Sequence, residues 1–525
     1  MLRSLTAIAL CALLASCSPT GAGVPSETVT PPVAASSLPL REEHSDPKAE
    51  PISIRFDRIS DDMGLTLSIT TPGDADGETT FANEGYGNIK DAQIFISSVQ
   101  IHQDGHPLPA LQSKLGWTVK HRPGGILTVI YRLPISGRLR MDSGHDSFMS
   151  PIVHDGLFHL FGNQAFLMPT GRRGADIIKL KVDATGAVGD GYFASSFGPG
   201  AAPQEVLAKR SQVGQALYLG GPINLTVTDT PTGRVGVAFS FMDKSVQGDK
   251  MEKDVLAVVE AGRKFFDDTQ PWYLVSVYGA ERSDPAINVG GGTGLTNAFA
   301  MYVASDLNLS NDEHREHFRW VLSHEYFHQW NGLTIRVASQ PSSDEDDRSV
   351  YWSSEGVTEF YAMRLLTRAG LQTPERALDV LNHKLLRYLQ NSKRDLSAEA
   401  AAALFFTDAD GEQIPYLRGY IAAWYADMAM RRHSGGERSL DDAMRALVVR
   451  SKSDPKFRVT TAFLASYLGD EMSAQDRRTF ERFITEGGAA PIGPDSFAPC
   501  LVGNYESAVL RFEFTASENV SCFTH

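Results

Sequence analysis

The chain has 525 residues, about three domains at roughly 150 residues each, so it is neither a peptide hormone nor a small stapled scaffold. Hydrophobic residues make up 42% of it and charged residues 21%, near the globular average, which excludes wholesale disorder and collagen. With 63 acidic against 49 basic side chains and a formal net charge of -14, the chain repels phosphate backbones, and nucleic acid is not expected as a partner.

In chain order, Arg3 precedes an apolar run from Leu5 to Leu14 that is too short to span a bilayer, and Leu14-Ala15-Ser16-Cys17 follows. Residues 1–17 thus resemble a bacterial lipoprotein signal with its lipobox. The resemblance implies cleavage before Cys17, a diacylglycerol on its thiol and an acylated amine, which together anchor the protein in the cell envelope. Ser18, next to the cysteine, implies the outer membrane, facing the periplasm or the cell surface. Residues 18–50 are rich in Pro, Ser, Ala, Thr and Glu and poor in large apolar side chains, so they read as a flexible tether. Cys11 leaves with the signal and Cys17 is lipidated, so Cys500 and Cys522 are the expected disulfide in a compartment that permits one.

Residues 51–243 contain short β-patterned runs, Ile52 to Phe56, Leu65 to Thr70, Ala92 to His102, Ile126 to Leu133, Ile177 to Val182 and Val235 to Phe241. Punctuated by Gly, Pro and Asp clusters, they predict an antiparallel β-rich domain. His102, His106, His154 and His159 are scattered through it and read as ordinary surface or core imidazoles. From residue 244 the period changes. Met251 to Phe266 predicts a helix, Trp272 to Tyr278 a strand, Gly290 to Gly294 a turn, and Ser310 to Glu313 a capping box before a long helix. Further helices are predicted over Ser354 to Ala369, Pro374 to Leu389, Leu417 to Arg432, Leu440 to Val449 and Ala474 to Thr485, then a strand at Val509 to Phe514. The fold class is α+β, with a mixed domain at 244–400 and a mainly helical C-terminal domain at 401–525.

His324-Glu325-Tyr326-Phe327-His328 reads H-E-x-x-H. Two imidazoles four residues apart on a helix lie about 40° apart around the axis and one turn along it, so both reach one metal ion. Glu325, to the side of the pair, is placed to take a proton from water, as in zinc hydrolases. Phe318, Trp320, Val321, Leu322, Tyr326, Phe327 and Trp330 make the helix apolar on most sides, hence buried. Two rings and a carboxylate on such a helix cost several kcal/mol unless a metal or a partner compensates. His317 lies about 10 Å away along the axis and reads as structural.

A catalytic zinc needs a third protein ligand and an open position. Two carboxylates compete: Asp347, which lies in an acidic loop run, and Glu355, in Trp352-Ser353-Ser354-Glu355-Gly356-Val357-Thr358-Glu359-Phe360-Tyr361. Glu355 is better framed, because the serines can cap a helix whose first turn presents it. Glu359 falls on the same face one turn later and can orient His324 or His328 through the free ring N–H.

HEYFHQWN (His324 to Asn331), Ile335-Arg336, WSSEGVTEFY (Trp352 to Tyr361), PYLRG (Pro415 to Gly419) and Ser439-Leu440-Asp441-Asp442 resemble the glycyl-aminopeptidase family of gluzincin metallopeptidases, relatives of aminopeptidase N. The resemblance implies a thermolysin-like catalytic domain and one zinc ion held by His324, His328 and Glu355. It further implies Glu325 as general base and the Tyr416 phenol as stabiliser of the tetrahedral oxyanion. A peptide or protein substrate is expected, along with a membrane partner through the lipid anchor. In the family, a Gly-Gly-Leu-Glu-His segment supplies a glutamate for the substrate's α-amine. Here Gly291-Gly292-Thr293-Gly294-Leu295 has no acid, which argues against strict aminopeptidase action and permits internal cleavage. Gly291 and Gly292 still offer backbone groups along which a peptide can lie. Too little chain follows Thr485 for the PDZ domain that relatives often carry, so none is expected. The competing reading is a catalytically weak or inactive lipoprotein that keeps the fold and binds peptide or cell-wall material.

Overall fold

The computed structural model describes residues 49–515, apart from 61–63, 86–88, 90–91, 144, 243–248, 285, 288, 339–346, 406, 455, 499–500 and 507–508. The predicted lipidation at Cys17 and the Cys500–Cys522 bridge lie outside the described residues.

The N-terminal part is built on a seven-stranded sheet. In spatial order its strands are Gln204–Lys209, Ile177–Asp183, Glu50–Ser60, Gly64–Pro72, Ile126–Leu133, Ser97–Gln103 and His106–Leu108. Period-two burial along Gly64–Pro72 and Ile126–Leu133 puts alternate side chains into a core where Phe56 stacks on Phe158 at 5.2 Å. One pair departs from the antiparallel expectation: Glu50–Ser60 runs parallel to Ile177–Asp183. The strand expected over Ala92 to His102 begins instead as a 3-10 turn, Ala92–Phe95, before Ser97–Gln103. Ser98 at φ 55 and a register shift between Ser97 and Gln100 interrupt the ladder there.

A second sheet forms the base of the central module, in the order Asn224–Thr230, Gly233–Ser240, Trp272–Ala280, Ala298–Ala304, Val289–Leu295. The boundary expected at residue 243 therefore falls after two strands that belong to this sheet. Gly233–Ser240 and Trp272–Ala280 pair in parallel, as do Trp272–Ala280 and Ala298–Ala304. The amphipathic helix Asp249–Phe266 connects the first two of these strands. Every residue of Trp272–Ala280 and Ala298–Ala304 is buried, as central parallel strands are. The predicted Gly-rich turn is the edge strand of this sheet, Val289–Leu295, antiparallel to Ala298–Ala304. Its glycines answer to packing: a Cβ at Gly290 would lie 1.9 Å from the Tyr302 ring and one at Gly292 2.5 Å from Phe299.

C-terminal helices pack on this module, and one continuous hydrophobic core runs from Val235 through Phe327, Phe360 and Trp424 to Phe512. The expected division at residue 400 thus separates no independent core. A closing hairpin, Leu501–Glu506 and Val509–Phe514, is pinned by Asn382, whose side chain bonds both the carbonyl and the amide of Phe512 at 2.9 and 2.8 Å. Among the described residues no helix is long and apolar enough to cross a membrane.

Candidate active site

The helix Asp312–Phe327 starts one residue later than the predicted box: Asn311 is its N-cap, accepting from the His314 amide at 3.1 Å. It carries His324 on a buried face and ends at His328, which keeps helical dihedrals. The two rings turn the same way. His324 Nε2 and His328 Nε2 are 3.1 Å apart, and Glu355 Oε2 lies 3.5 and 3.6 Å from them.

Tetrahedral zinc with bonds of about 2.0 to 2.2 Å separates its ligand atoms by about 3.3 to 3.6 Å; both Glu355 distances fall in that range and the ring-to-ring distance of 3.1 Å lies just below it, so a small opening of the two rings lets the three donors hold one ion. Each outward ring nitrogen has an acceptor oxygen beside it. His328 Nδ1 is 3.0 Å from the Asn331 carbonyl, and His324 Nδ1 lies 2.8 Å from Glu359 Oε1. With the proton on Nδ1 in each ring, both Nε2 lone pairs face the same point, an arrangement that suits a shared cation. Among the described residues, this is the one group of three or more His, Cys, Asp or Glu side chains with metal-binding spacing.

Glu355 is presented differently from the sequence expectation. It does not sit in the first turn of a serine-capped helix. It occupies a π-helical turn, Trp352–Val357, that runs directly into Thr358–Arg368 without a side-chain cap. Two close approaches fix this turn. Asn331 Nδ2 donates to the Ser353 carbonyl at 2.8 Å and contacts Thr358 Oγ1 at 3.0 Å, tying the end of the histidine helix to the turn. Gly356 and Gly419 let the turn and the helix Ala409–Ser434 cross backbone on backbone: a Cβ at Gly419 would lie 1.9 Å from the Trp352 carbonyl oxygen. Asp347 is engaged elsewhere. Its carboxylate accepts from the Thr461 amide at 2.8 Å and from Ser349 Oγ.

That crossing also positions Tyr416. The residue is not ahead of a helix, as the sequence suggested, but inside Ala409–Ser434, which Asp408 caps through the Gly411 amide at 2.8 Å. Pro415 lies within the helix and imitates a start signal in the sequence. The Tyr416 ring is 6.0 Å from that of His324 and stacks on Phe405, also at 6.0 Å. Burial, reinforced by Glu355 and Glu325, holds the phenol well above its ordinary pKa, so it stays protonated.

Glu359 is part of a network that the sequence did not reveal. Its Oε1 accepts from Trp320 Nε1 at 3.2 Å, and its Oε2 lies 2.5 Å from Lys384 Nζ. The Lys384 ammonium in turn sits over the Trp320 and Tyr420 rings at 5.1 and 5.3 Å. Burial alone would raise the Glu359 carboxyl, but Lys384 and His324 hold it down at about 2. Burial alone would lower the His324 ring, yet the Glu355 and Glu359 carboxylates outweigh it and hold the metal-free ring up at about 10. Glu355 is kept well below the ordinary carboxylate range by the two histidines, against its burial. Asn331, Lys384 and Trp320 gave no separate signal in the sequence, because their partners lie 22 to 39 residues away.

The edge strand Val289–Leu295 borders the site. A Cβ at Gly294 would meet His328 Cβ at 3.4 Å and the Glu325 carbonyl oxygen at 3.6 Å. Gly291, at φ 145 beside a register shift, and Gly292 lie on the same strand.

Residues 317–419 match the M61 glycyl aminopeptidase family, a segment that includes both histidines, Glu325, Glu355, Glu359 and Tyr416. Solved structures agree on the fold. An aminopeptidase N family protein from Idiomarina loihiensis superposes with a TM-score of 0.72 at 17% identity, over 87% of this chain and 79% of that one. An M1 zinc metallopeptidase from Deinococcus radiodurans gives a TM-score of 0.52 at 14% identity, over 85% and 96%. A mutant of that enzyme bound to a Tyr-Ser-Ala substrate gives 0.53 at 16%, over 86% and 96%. A comparison with curated protein sequences finds no match. The chain thus has the aminopeptidase-N-like fold and, within it, a zinc-metallopeptidase module.

Proposed function

From a chain whose zinc-metallopeptidase module is of the M61 glycyl aminopeptidase kind, we propose a lipid-anchored peptidase of the bacterial envelope that hydrolyses peptide bonds at a single zinc ion. His324, His328 and Glu355 hold the ion, which when bound lowers the pKa of water and polarises the scissile carbonyl. Glu325 takes the proton of the attacking water and delivers it to the leaving amine. The Tyr416 phenol donates to the developing oxyanion, where stabilisation accelerates the reaction. Glu359, held by Lys384 and Trp320, fixes the His324 ring, and the Asn331 carbonyl fixes that of His328.

The substrate backbone extends along Val289–Leu295 at Gly291 and Gly292, adding a strand to a sheet edge. Cys17 carries the lipid, and the tether places the peptidase at the outer membrane. The observation that carries the reading is the convergence of three donor atoms within 4.8 Å of one another, with an acceptor oxygen beside the outward nitrogen of each ring. The Tyr-Ser-Ala peptide held by a structural neighbour supports a short peptide as substrate.

The test is Glu325→Gln on purified protein given a mixed peptide library, with products read by mass spectrometry. Zinc content should stay at that of the wild type while turnover falls by about 10²- to 10⁴-fold; undiminished hydrolysis overturns the assignment. The acid-free Gly291 to Leu295 segment favours one other reading, a peptide-binding lipoprotein. A zinc-loaded wild type that cleaves nothing in the library would select that reading.

A further inference from the structure

One carboxylate beside the site has no structural employment. The helix that carries Tyr416 opens with three acids, Asp408, Asp410 and Glu412. Asp408 caps the Gly411 amide, and Asp410 accepts from Ser392 Oγ at 2.7 Å. These two supply the negative charge that a helix N-terminus favours. Glu412 lies one turn before Tyr416 on the same helical face, where side chains four apart are neighbours. It is half-buried; its amide donates to the Asp408 carbonyl at 2.8 Å, and among the described residues neither a hydrogen bond nor an ion pair reaches its carboxylate.

Burial raises the Glu412 carboxyl above its ordinary value, with no cation to offset it, and its charge is felt at the Tyr416 phenol. A half-buried carboxylate without a partner costs stability, and a cation arriving from outside would repay that cost. The neighbouring wall is aromatic: Phe405 stacks on Tyr416, and Tyr351 packs on Phe405 at 4.7 Å. Such rings accept the aliphatic stem of a long cationic side chain and the charge beside it.

We propose that Glu412 is a specificity-determining residue that binds a cation of the substrate, an ammonium or guanidinium group, next to the scissile bond. The inference rests on the peptidase reading and deepens it by naming the substrate class. It also supplies an acid on the helix side of the site, where the Gly291 to Leu295 strand has none.

The test uses zinc-loaded full-length protein and matched peptides, lysine against norleucine and arginine against citrulline, each with a free and an acetylated N-terminus. Wild type should favour the charged member of a pair by about tenfold in kcat/KM, mostly through KM. In Glu412→Gln that ratio should collapse towards one, and Glu412→Asp should keep part of it. A preference abolished by N-acetylation assigns the α-amine; one that survives acetylation assigns the side chain. An equal ratio in wild type and Glu412→Gln, or no preference in wild type, overturns the proposal. Zinc content and melting temperature equal to wild type show that the variants fold. If the wild type cleaves none of the peptides, the peptidase reading has failed. Calorimetric binding of the same pairs then decides for Glu412 separately: preference lost in Glu412→Gln supports it, and identical binding contradicts it.

Discussion

Two pairs of largely buried histidines stand in this molecule, and they behave in opposite ways. His324 and His328 are surrounded by carboxylates and carbonyls, which push both rings towards the protonated form in the absence of metal. His154 and His159 lie where the N-terminal sheets meet the catalytic sheet. His154 Nε2 is 2.6 Å from the Tyr278 hydroxyl, and its ring stacks on Phe241 at 4.4 Å. His159 is fully buried among Phe148, Phe161 and Tyr278, and among the described residues no other residue bonds either ring nitrogen. Burial pushes it down to about 3. Burial is common to both pairs. What separates a ligand-type histidine from a packing histidine is the set of acceptors that turns its lone pair towards a shared point.

The contrast can be broken most severely at the ligand pair. His324→Ala, His328→Ala and Glu355→Ala should each abolish stoichiometric zinc binding and lower kcat/KM by at least about 10³-fold, since the nucleophile is no longer generated. His159→Leu should leave zinc content at the wild-type level. Metal analysis on the four purified variants checks both statements together.

Next in size is the crossing that holds Glu355 to the site. Gly419→Val places a branched side chain where even a Cβ would be 1.9 Å from the Trp352 carbonyl oxygen, and overpacking of this kind costs about 1 to 3 kcal/mol or more. The expected result is a melting temperature lowered by several degrees together with weakened zinc binding. The ligand pair thus depends on backbone fit in a way that His159 does not.

The outer network contributes less. Glu359→Gln and Lys384→Met should each weaken zinc affinity by about 10- to 100-fold while leaving the chain folded, as read by competition with a chelator. In the metal-free protein the raised His324 value means that proton binding stabilises the fold below the unfolded value, and that this stabilisation is lost as pH rises towards about 10. Protons compete with the metal over the same range, so apparent zinc affinity should rise with pH.

His159 has the opposite sign, and its effect is confined to acid pH. Its folded pKa of about 3 lies below that of the unfolded chain, near 6.5. The unfolded state takes up the extra proton, and stability falls as pH drops between those values, by up to about 1.4 kcal/mol per pH unit. His159→Leu should flatten the acid limb of a urea-denaturation series between pH 6 and 4. An unchanged limb would mean that the ring finds a partner on protonation.

How much of this was legible beforehand varies with the physics of each element. Strands with one face in the core announced themselves by alternation, as at Leu65 to Thr70 and Ile126 to Leu133. Leu157–Phe161 and Leu217–Gly221 are buried at every position, so they show no period and were missed. Glycine usually marks a turn, which is how the edge strand Val289–Leu295 was misread; its glycines make room for the Tyr302 and Phe299 rings. At the site, the convergence of His324 and His328 was readable because a helix brings local spacing into register. Glu355 followed from its motif, but the π-helical turn that presents it depends on Gly419, 64 residues on. Lys384 and Asn331 are set by tertiary contact alone, which no local pattern encodes.

The most direct test of the account is anomalous scattering at the zinc edge from crystals of the metal-loaded protein. One peak per chain is predicted, about 2.0 to 2.2 Å from His324 Nε2, His328 Nε2 and a Glu355 carboxylate oxygen. A peak coordinated by Asp347 in place of Glu355, or no peak between the two imidazoles, would contradict it.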